Sequence, residues 1–103
     1  METTLLGRTG VTVSRLGFGG APAGLANYLN PYSPEDKQQR EQVMAAIQTA
    51  VELGVTYFDT APGYGGGASE TIYGEALAGV TTPVFVATKI NRNEANEIGR
   101  ASC

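Results

Sequence analysis

The sequence predicts an α/β fold organised around a parallel sheet, and three observations predict it. The elements alternate strand, helix, strand, helix, strand from Arg15 onward. The last two strands, Val55 to Asp59 and Val84 to Thr88, carry continuous rather than alternating apolar character. Each helical pattern is bounded by its own start and stop residues. Strands joined by helical crossovers run parallel, and a parallel sheet covered on both faces reads as near-continuous apolar runs. Crossovers of this kind are right-handed, which places the strands as neighbours in chain order.

The chain opens with a hairpin signal. Thr3 to Leu6 precedes a Gly7-Arg8-Thr9-Gly10 turn, and Val11, Thr12, Val13 and Ser14 then alternate. Arg15 to Phe18 continues as a short strand ended by Gly19-Gly20. Residues Ala21 to Tyr32 hold Gly, Asn and two prolines without a period and read as a long loop. A helix is predicted from Ser33, with Pro34 at the first helical position and Asp36 three residues after the cap. Its apolar stripe is Val43, Ile47, Ala50 and Val51, and Gly54 supplies the stop. The strand Val55 to Asp59 leads into a flexible loop over Gly63 to Gly67. Ser69 is the expected cap of a second helix through Ile72, Ala76 and Leu77. Pro83 introduces the third strand of the series, Val84 to Thr88.

Composition bounds the function. A chain of 103 residues with 42% hydrophobic and 17% charged residues is one small globular domain at most. A net charge of −3 with seven scattered Lys and Arg argues against a nucleic-acid partner, which needs clustered cations. The start METTLLGRTG has no basic n-region and no apolar h-region, and no run is long enough to cross a bilayer. No membrane partner is therefore expected, and a cytoplasmic location is. The single cysteine, Cys103, closes no internal disulfide and lacks a histidine or cationic partner that would activate it beyond the nearby Arg100. No metal site is expected.

The chemistry gathers at the carboxyl ends of the strands, where α/β proteins place their ligands. Asp59 ends the second strand and Lys89 ends the third. Counting by two, Asp59 shares a face with Tyr57 and Val55, and Lys89 shares one with Ala87 and Phe85, so the two charges are expected side by side. Tyr64 lies five residues after Asp59 on a glycine-bounded loop that can fold back over the pair. A phenol, with an ordinary pKa of about 10, is a poor proton donor at neutral pH, and a neighbouring ammonium favours its ionised form. In this arrangement Tyr64 is the general acid for a carbonyl oxygen, Lys89 tunes it, and Asp59 keeps Lys89 charged and oriented.

Four stretches in order, LGRTGVTVSRLGFGG, AVELGVTYFDTAPGYG, SETIYGEAL and VFVATK, make the chain resemble the aldo-keto reductases over about residues 4 to 90. The resemblance implies a (β/α)8 barrel capped at its bottom by an N-terminal hairpin. It also implies NADPH-dependent reduction of aldehydes, ketones or sugars. It assigns a catalytic tetrad of Asp, Tyr, Lys and His, the first three at Asp59, Tyr64 and Lys89. Cofactor contacts fall at Gly19, Gly20, Asp59 and Tyr64. The family's histidine follows the next strand, and these 103 residues contain none. The segments that grip the cofactor's 2′-phosphate belong to the family's second half. An eight-stranded barrel takes about 200 residues or more, so the chain is expected to be the N-terminal portion of one, truncated or altered in frame near its end. Residues 1–90 are expected to form the partial barrel and residues 91–103, NRNEANEIGRASC, a divergent frayed tail.

Other features have plainer readings. Tyr28, Tyr32, Tyr57 and Tyr73 lack comparable partners and read as packing or surface residues. Gly17-Phe18-Gly19-Gly20 is not a dinucleotide fingerprint, because position 22 is Pro22 and no helix opens directly behind it. Glu70 supports the start of the second helix through the helix dipole. Gly65-Gly66-Gly67 reads as a flexible loop rather than a phosphate nest. The 103 residues are not expected to be active alone, and the alternative to a reductase is a non-catalytic remnant or interaction module that self-associates or complements a partner through an uncovered sheet edge and face.

Overall fold

A computed structural model of the chain describes residues 1–90. The tail expected over residues 91–103 lies outside them. Strands β1 (Thr3–Leu5) and β2 (Thr12–Ser14) form the antiparallel hairpin, with Thr4 opposite Val13. The turn between them is closed by Thr9, whose hydroxyl donates to the Leu6 carbonyl at 2.7 Å.

The second sheet has the order β3 (Gly17–Gly19), β4 (Tyr57–Asp59), β5 (Phe85–Ala87), all parallel and in chain order. Its register aligns Gly17, Tyr57 and Phe85, then Phe18, Phe58 and Val86, then Gly19, Asp59 and Ala87. The hairpin is tied to this sheet by a reciprocal pair of bonds: Ser14 N–H donates to Thr56 Oγ1 at 2.8 Å, and Thr56 N–H to Ser14 Oγ at 2.9 Å. Thr56 precedes β4, so the hairpin sits at the amino ends of the strands, opposite the end that carries Asp59.

Two helices return along one face. Helix α2 (Lys37–Glu52) and helix α3 (Ala68–Leu77) pack with the sheet around Phe58, which is fully buried together with Ile47, Ile72 and Tyr73. The Phe58 ring meets Tyr73 edge-on at 5.8 Å and Phe18 at 6.0 Å. Burying side chains of this size supplies about 1.5–3 kcal/mol each, the main stabilising contribution in so short a chain.

The helix starts differ from the sequence expectation for a local reason. Helix α2 begins at Lys37 rather than Ser33, because Asp36 is itself the cap: its carboxylate accepts from Gln39 N–H at 3.0 Å. Ser33 to Asp36 instead forms a turn, with Asp36 N–H donating to the Ser33 carbonyl, and Gln39 Oε1 accepts from Ser33 N–H. Helix α3 is entered through Gly67 at φ +94°, a left-handed backbone that glycine adopts without strain, which places Ser69 inside the first turn. Where the sequence predicts a loop with no helix directly behind Gly20, one helical turn, α1 (Ala21–Gly24), opens there with Gly20 as its cap and Pro22 in its first turn. Among the described residues no helix is long and apolar enough to cross a membrane.

Candidate active site

Asp59 closes β4 on the face away from the helices. Its register neighbours on that face are Gly19 and Ala87, two of the smallest residues, so neither side chain crowds its partly exposed carboxylate. One step down, Tyr57 and Phe85 stack at 5.5 Å with an interplanar angle of 11° and floor the site. The expectation that Asp59 and Lys89 would stand side by side is refined here. Asp59 pairs with Ala87, so Lys89 lies two residues further on, about 6.6 Å along the strand direction. Its long stem reaches back across that offset.

The ammonium of Lys89 donates to both carboxylate oxygens of Asp59, at 3.0 and 3.2 Å, and to the backbone carbonyl of Thr60 at 2.8 Å. It also lies 5.1 Å from the centroid of the Tyr64 ring, within cation–π range. The loop has folded the phenol back toward the charged pair, bringing the three expected residues together. The Lys89 pKa is held above the ordinary lysine value, first by the hydrogen bond to Asp59. Desolvation opposes it as the next largest effect, and the Asp59 charge and the Tyr64 phenol add to the rise. Lys89 is therefore charged throughout the neutral range.

Tyr64 owes its place to close backbone packing. Its carbonyl lies against Gly24 in α1, where any Cβ would run into it, and Gly65 at φ +81° meets the Gly24 carbonyl in the same way. The loop closes on itself: Gly67 N–H donates to the Pro62 carbonyl at 2.9 Å and Ser69 N–H to the Tyr64 carbonyl at 3.1 Å. Gly65, Gly66 and Gly67 all have positive φ, which explains a run of three glycines in a defined loop.

The two glycines expected to approach a cofactor stand differently. Gly19 is exposed and opens onto empty space beside Asp59. Gly20 is buried, and a Cβ there would collide with Tyr73 and Ser69. Gly19, whose register neighbour is Asp59, thus leaves open space within 4 Å of its backbone beside the Asp59–Lys89 pair. Among the described residues no cluster of acids, cysteine or histidine is arranged to hold a metal.

The remaining tyrosines are placed as packing or surface groups. Tyr28 is exposed, Tyr57 stacks, Tyr32 donates to the Ala23 carbonyl at 2.8 Å, and Tyr73 is buried with its hydroxyl donating to the Phe18 carbonyl at 3.3 Å. Glu70 is in the first turn of α3 and accepts from the Thr88 hydroxyl at 2.7 Å. An apolar groove of about 370 Å³ between α3 and β5, lined by Leu77, Val84 and Val86 among others, lies on the helix face of the sheet, away from the Asp59 carboxylate. Sequence reasoning missed Thr60 and misplaced Ser69 as a helix cap. The two side chains are buried in hydrogen-bond contact, and no spacing rule points to such a pair.

Comparison with known proteins gives one family. The model of the aldo/keto reductase family matches residues 15–102. L-galactose dehydrogenase of Arabidopsis thaliana is 37% identical over 95 residues, covering 89% of this chain and 27% of that protein. Among solved structures, the aldo-keto reductase AKR11C1 from Bacillus halodurans, in its holo form, superposes with a TM-score of 0.66 at 32% identity, over 87% of this chain and 26% of that one. An aldo-keto reductase from Klebsiella pneumoniae in complex with NADPH superposes with a TM-score of 0.60 at 29% identity, over 78% and 25% of the two chains. The chain thus spans about a quarter of the length of the curated relatives it matches.

Proposed function

Since this chain belongs to the aldo/keto reductase family and forms part of that family's (β/α)8 barrel, we propose that it carries the proton-donating side of an NADPH-dependent oxidoreductase site. Tyr64 is the acid, and Lys89 and Asp59 are the groups that tune it. The observation that carries this reading is the position of the Lys89 ammonium, bonded to both oxygens of Asp59 and 5.1 Å from the Tyr64 ring. A charge there stabilises the negative charge that builds on the phenolic oxygen as its proton leaves. Asp59 holds that charge in place and keeps it ionised.

The bound nicotinamide supplies hydride to the carbonyl carbon. The chain's own part is the proton. Tyr64 delivers it to the carbonyl oxygen during reduction and takes it back during oxidation of an alcohol. Gly19 would offer its open backbone to the nicotinamide end of the cofactor, and Gly20, Asp59 and Tyr64 would complete the cofactor side of the site. The substrate is a small carbonyl compound or sugar, a class to which the name L-galactose dehydrogenase also belongs. Residues 1–90 supply barrel elements, and the location is cytoplasmic. Family membership favours this reading over that of a non-catalytic remnant or interaction module. Self-association through the outer edge of β5 is a property of the isolated chain.

The test is NADPH oxidation with simple aldehydes by the longest product that the reading frame encodes, alongside a fluorescence titration of NADPH. Saturable binding and turnover support the reading. No turnover in that product sinks it.

A further inference from the structure

Two buried hydroxyls lie directly behind the Asp59–Lys89 pair. Ser69 and Thr60 are 0% and 2% exposed, and their side-chain oxygens are 2.7 Å apart. Ser69 Oγ is also 2.9 Å from the Gly20 carbonyl. A carbonyl only accepts and each hydroxyl has one proton, so the direction is determined: Ser69 donates to Gly20, and Thr60 must donate to Ser69. The chain Thr60 O–H to Ser69 O–H to Gly20 C=O links the residue after β4, the first turn of α3 and the residue after β3.

The same Thr60 touches the site through its backbone. Its carbonyl accepts a hydrogen bond from the Lys89 ammonium at 2.8 Å, and its N–H donates to the Ala87 carbonyl at 2.8 Å. The ammonium therefore has two anchors, Asp59 and a carbonyl whose own residue is pinned from behind. We infer that Ser69 and Thr60 are positioning residues for the reduction site: their hydroxyl relay holds the Thr60 carbonyl where it sets the place of the Lys89 ammonium relative to Tyr64. This rests on the reading of Asp59, Tyr64 and Lys89 given above. Displacements well under an ångström at a proton-transfer site are felt in rate, and a buried hydroxyl pair is a stiffer restraint than a solvated strand end.

The test uses Thr60→Val, which keeps the shape and removes the donor, Thr60→Ser, which keeps the donor, and Ser69→Ala. Two readouts are made on the full chain: kcat per NADPH-binding site, and the ammonium resonance of Lys89 in lysine-labelled protein, assigned with Lys89→Arg. The relay predicts that Thr60→Val and Ser69→Ala lower kcat per site about three- to tenfold with KM changed less than about twofold, the scale of one lost hydrogen bond. It also predicts a shifted Lys89 resonance, with Thr60→Ser recovering most of both effects. A purely structural role lowers the number of binding sites or the thermal midpoint and leaves kcat per site and the resonance unmoved, and that result overturns the inference. A wild-type chain without turnover whose Lys89 resonance still responds to both variants removes the reductase reading and leaves the positioning intact.

Discussion

Lys89 holds both carboxylate oxygens of Asp59, at 3.0 and 3.2 Å, although its strand places Ala87 and not Lys89 opposite that residue. The offset makes the pair depend on the reach of the long lysine stem. A shorter cation at position 89 would be unable to reach the carboxylate and the Thr60 carbonyl together. The ammonium that results stands close to Tyr64, and the chemistry proposed for the site follows from that distance.

Replacement of the acid is the most direct check. Tyr64→Phe keeps the ring beside the Lys89 ammonium and removes the phenolic proton. It should lower kcat at least about 100-fold, the usual contribution of a general acid. NADPH affinity, read by fluorescence titration, should stay within about threefold of the wild type.

The Asp59 carboxylate is the main cause of the raised Lys89 pKa. A lysine whose folded pKa is raised contributes stability that is fully present below its unfolded pKa of about 10.4 and is lost as pH rises through the folded value. Asp59→Asn should therefore bring the alkaline limb of the kcat profile to lower pH than in the wild type. Rate measurements from about pH 7 to 11 show the displacement. An unmoved alkaline limb would detach Asp59 from the charge state of Lys89.

Tyr73 gives a second pH dependence, of stability. Burial, and then the charge of Asp59, hold its phenol well above the ordinary tyrosine pKa. Above about pH 10 the unfolded chain gives up this proton while the native state keeps it, so stability falls by up to about 1.4 kcal/mol per pH unit from this one group. Tyr73→Phe should remove that slope. At neutral pH it should cost about 0.5–1.5 kcal/mol through loss of the bond to the Phe18 carbonyl. Urea melts at neutral and strongly alkaline pH measure both.

Gly24→Ala puts a methyl group into the Tyr64 carbonyl and the Ser69 Cβ, neither of which can rotate away. The loop must move, at about 1–3 kcal/mol of overpacking strain. Stability by urea melt should fall by that amount, and turnover should fall with it because Tyr64 is carried on the displaced segment. Gly63→Ala, where a Cβ meets nothing within 4 Å, is the control and should leave stability within about 0.5 kcal/mol.

The 103-residue chain by itself should associate. Among the described residues β5 pairs with β4 alone, leaving its outer edge and the half-exposed Val86 beside it uncovered. Sedimentation should show oligomers whose population grows with concentration. A monomer with a sharp cooperative thermal transition would contradict this.

By itself the sequence determined the order of the strands and the two long helices, the parallel sheet with neighbours in chain order and the hairpin, and it singled out Asp59, Tyr64 and Lys89. Each of these is written locally, in an apolar run, a turn tetrapeptide or a strand end counted in twos. Tertiary structure decided the rest. Asp36 displaced Ser33 as the cap of α2 because its carboxylate meets the Gln39 N–H, a choice between two good caps three residues apart that spacing leaves open. Gly67 took over the cap of α3, which turned Ser69 inward to Thr60 and Gly20. The two-residue offset between Asp59 and Lys89, the approach of Gly24 to the Tyr64 loop and the buried hydroxyl relay all join residues distant in sequence. No local pattern encodes them, because each depends on strand register and on how closely two backbones can pack.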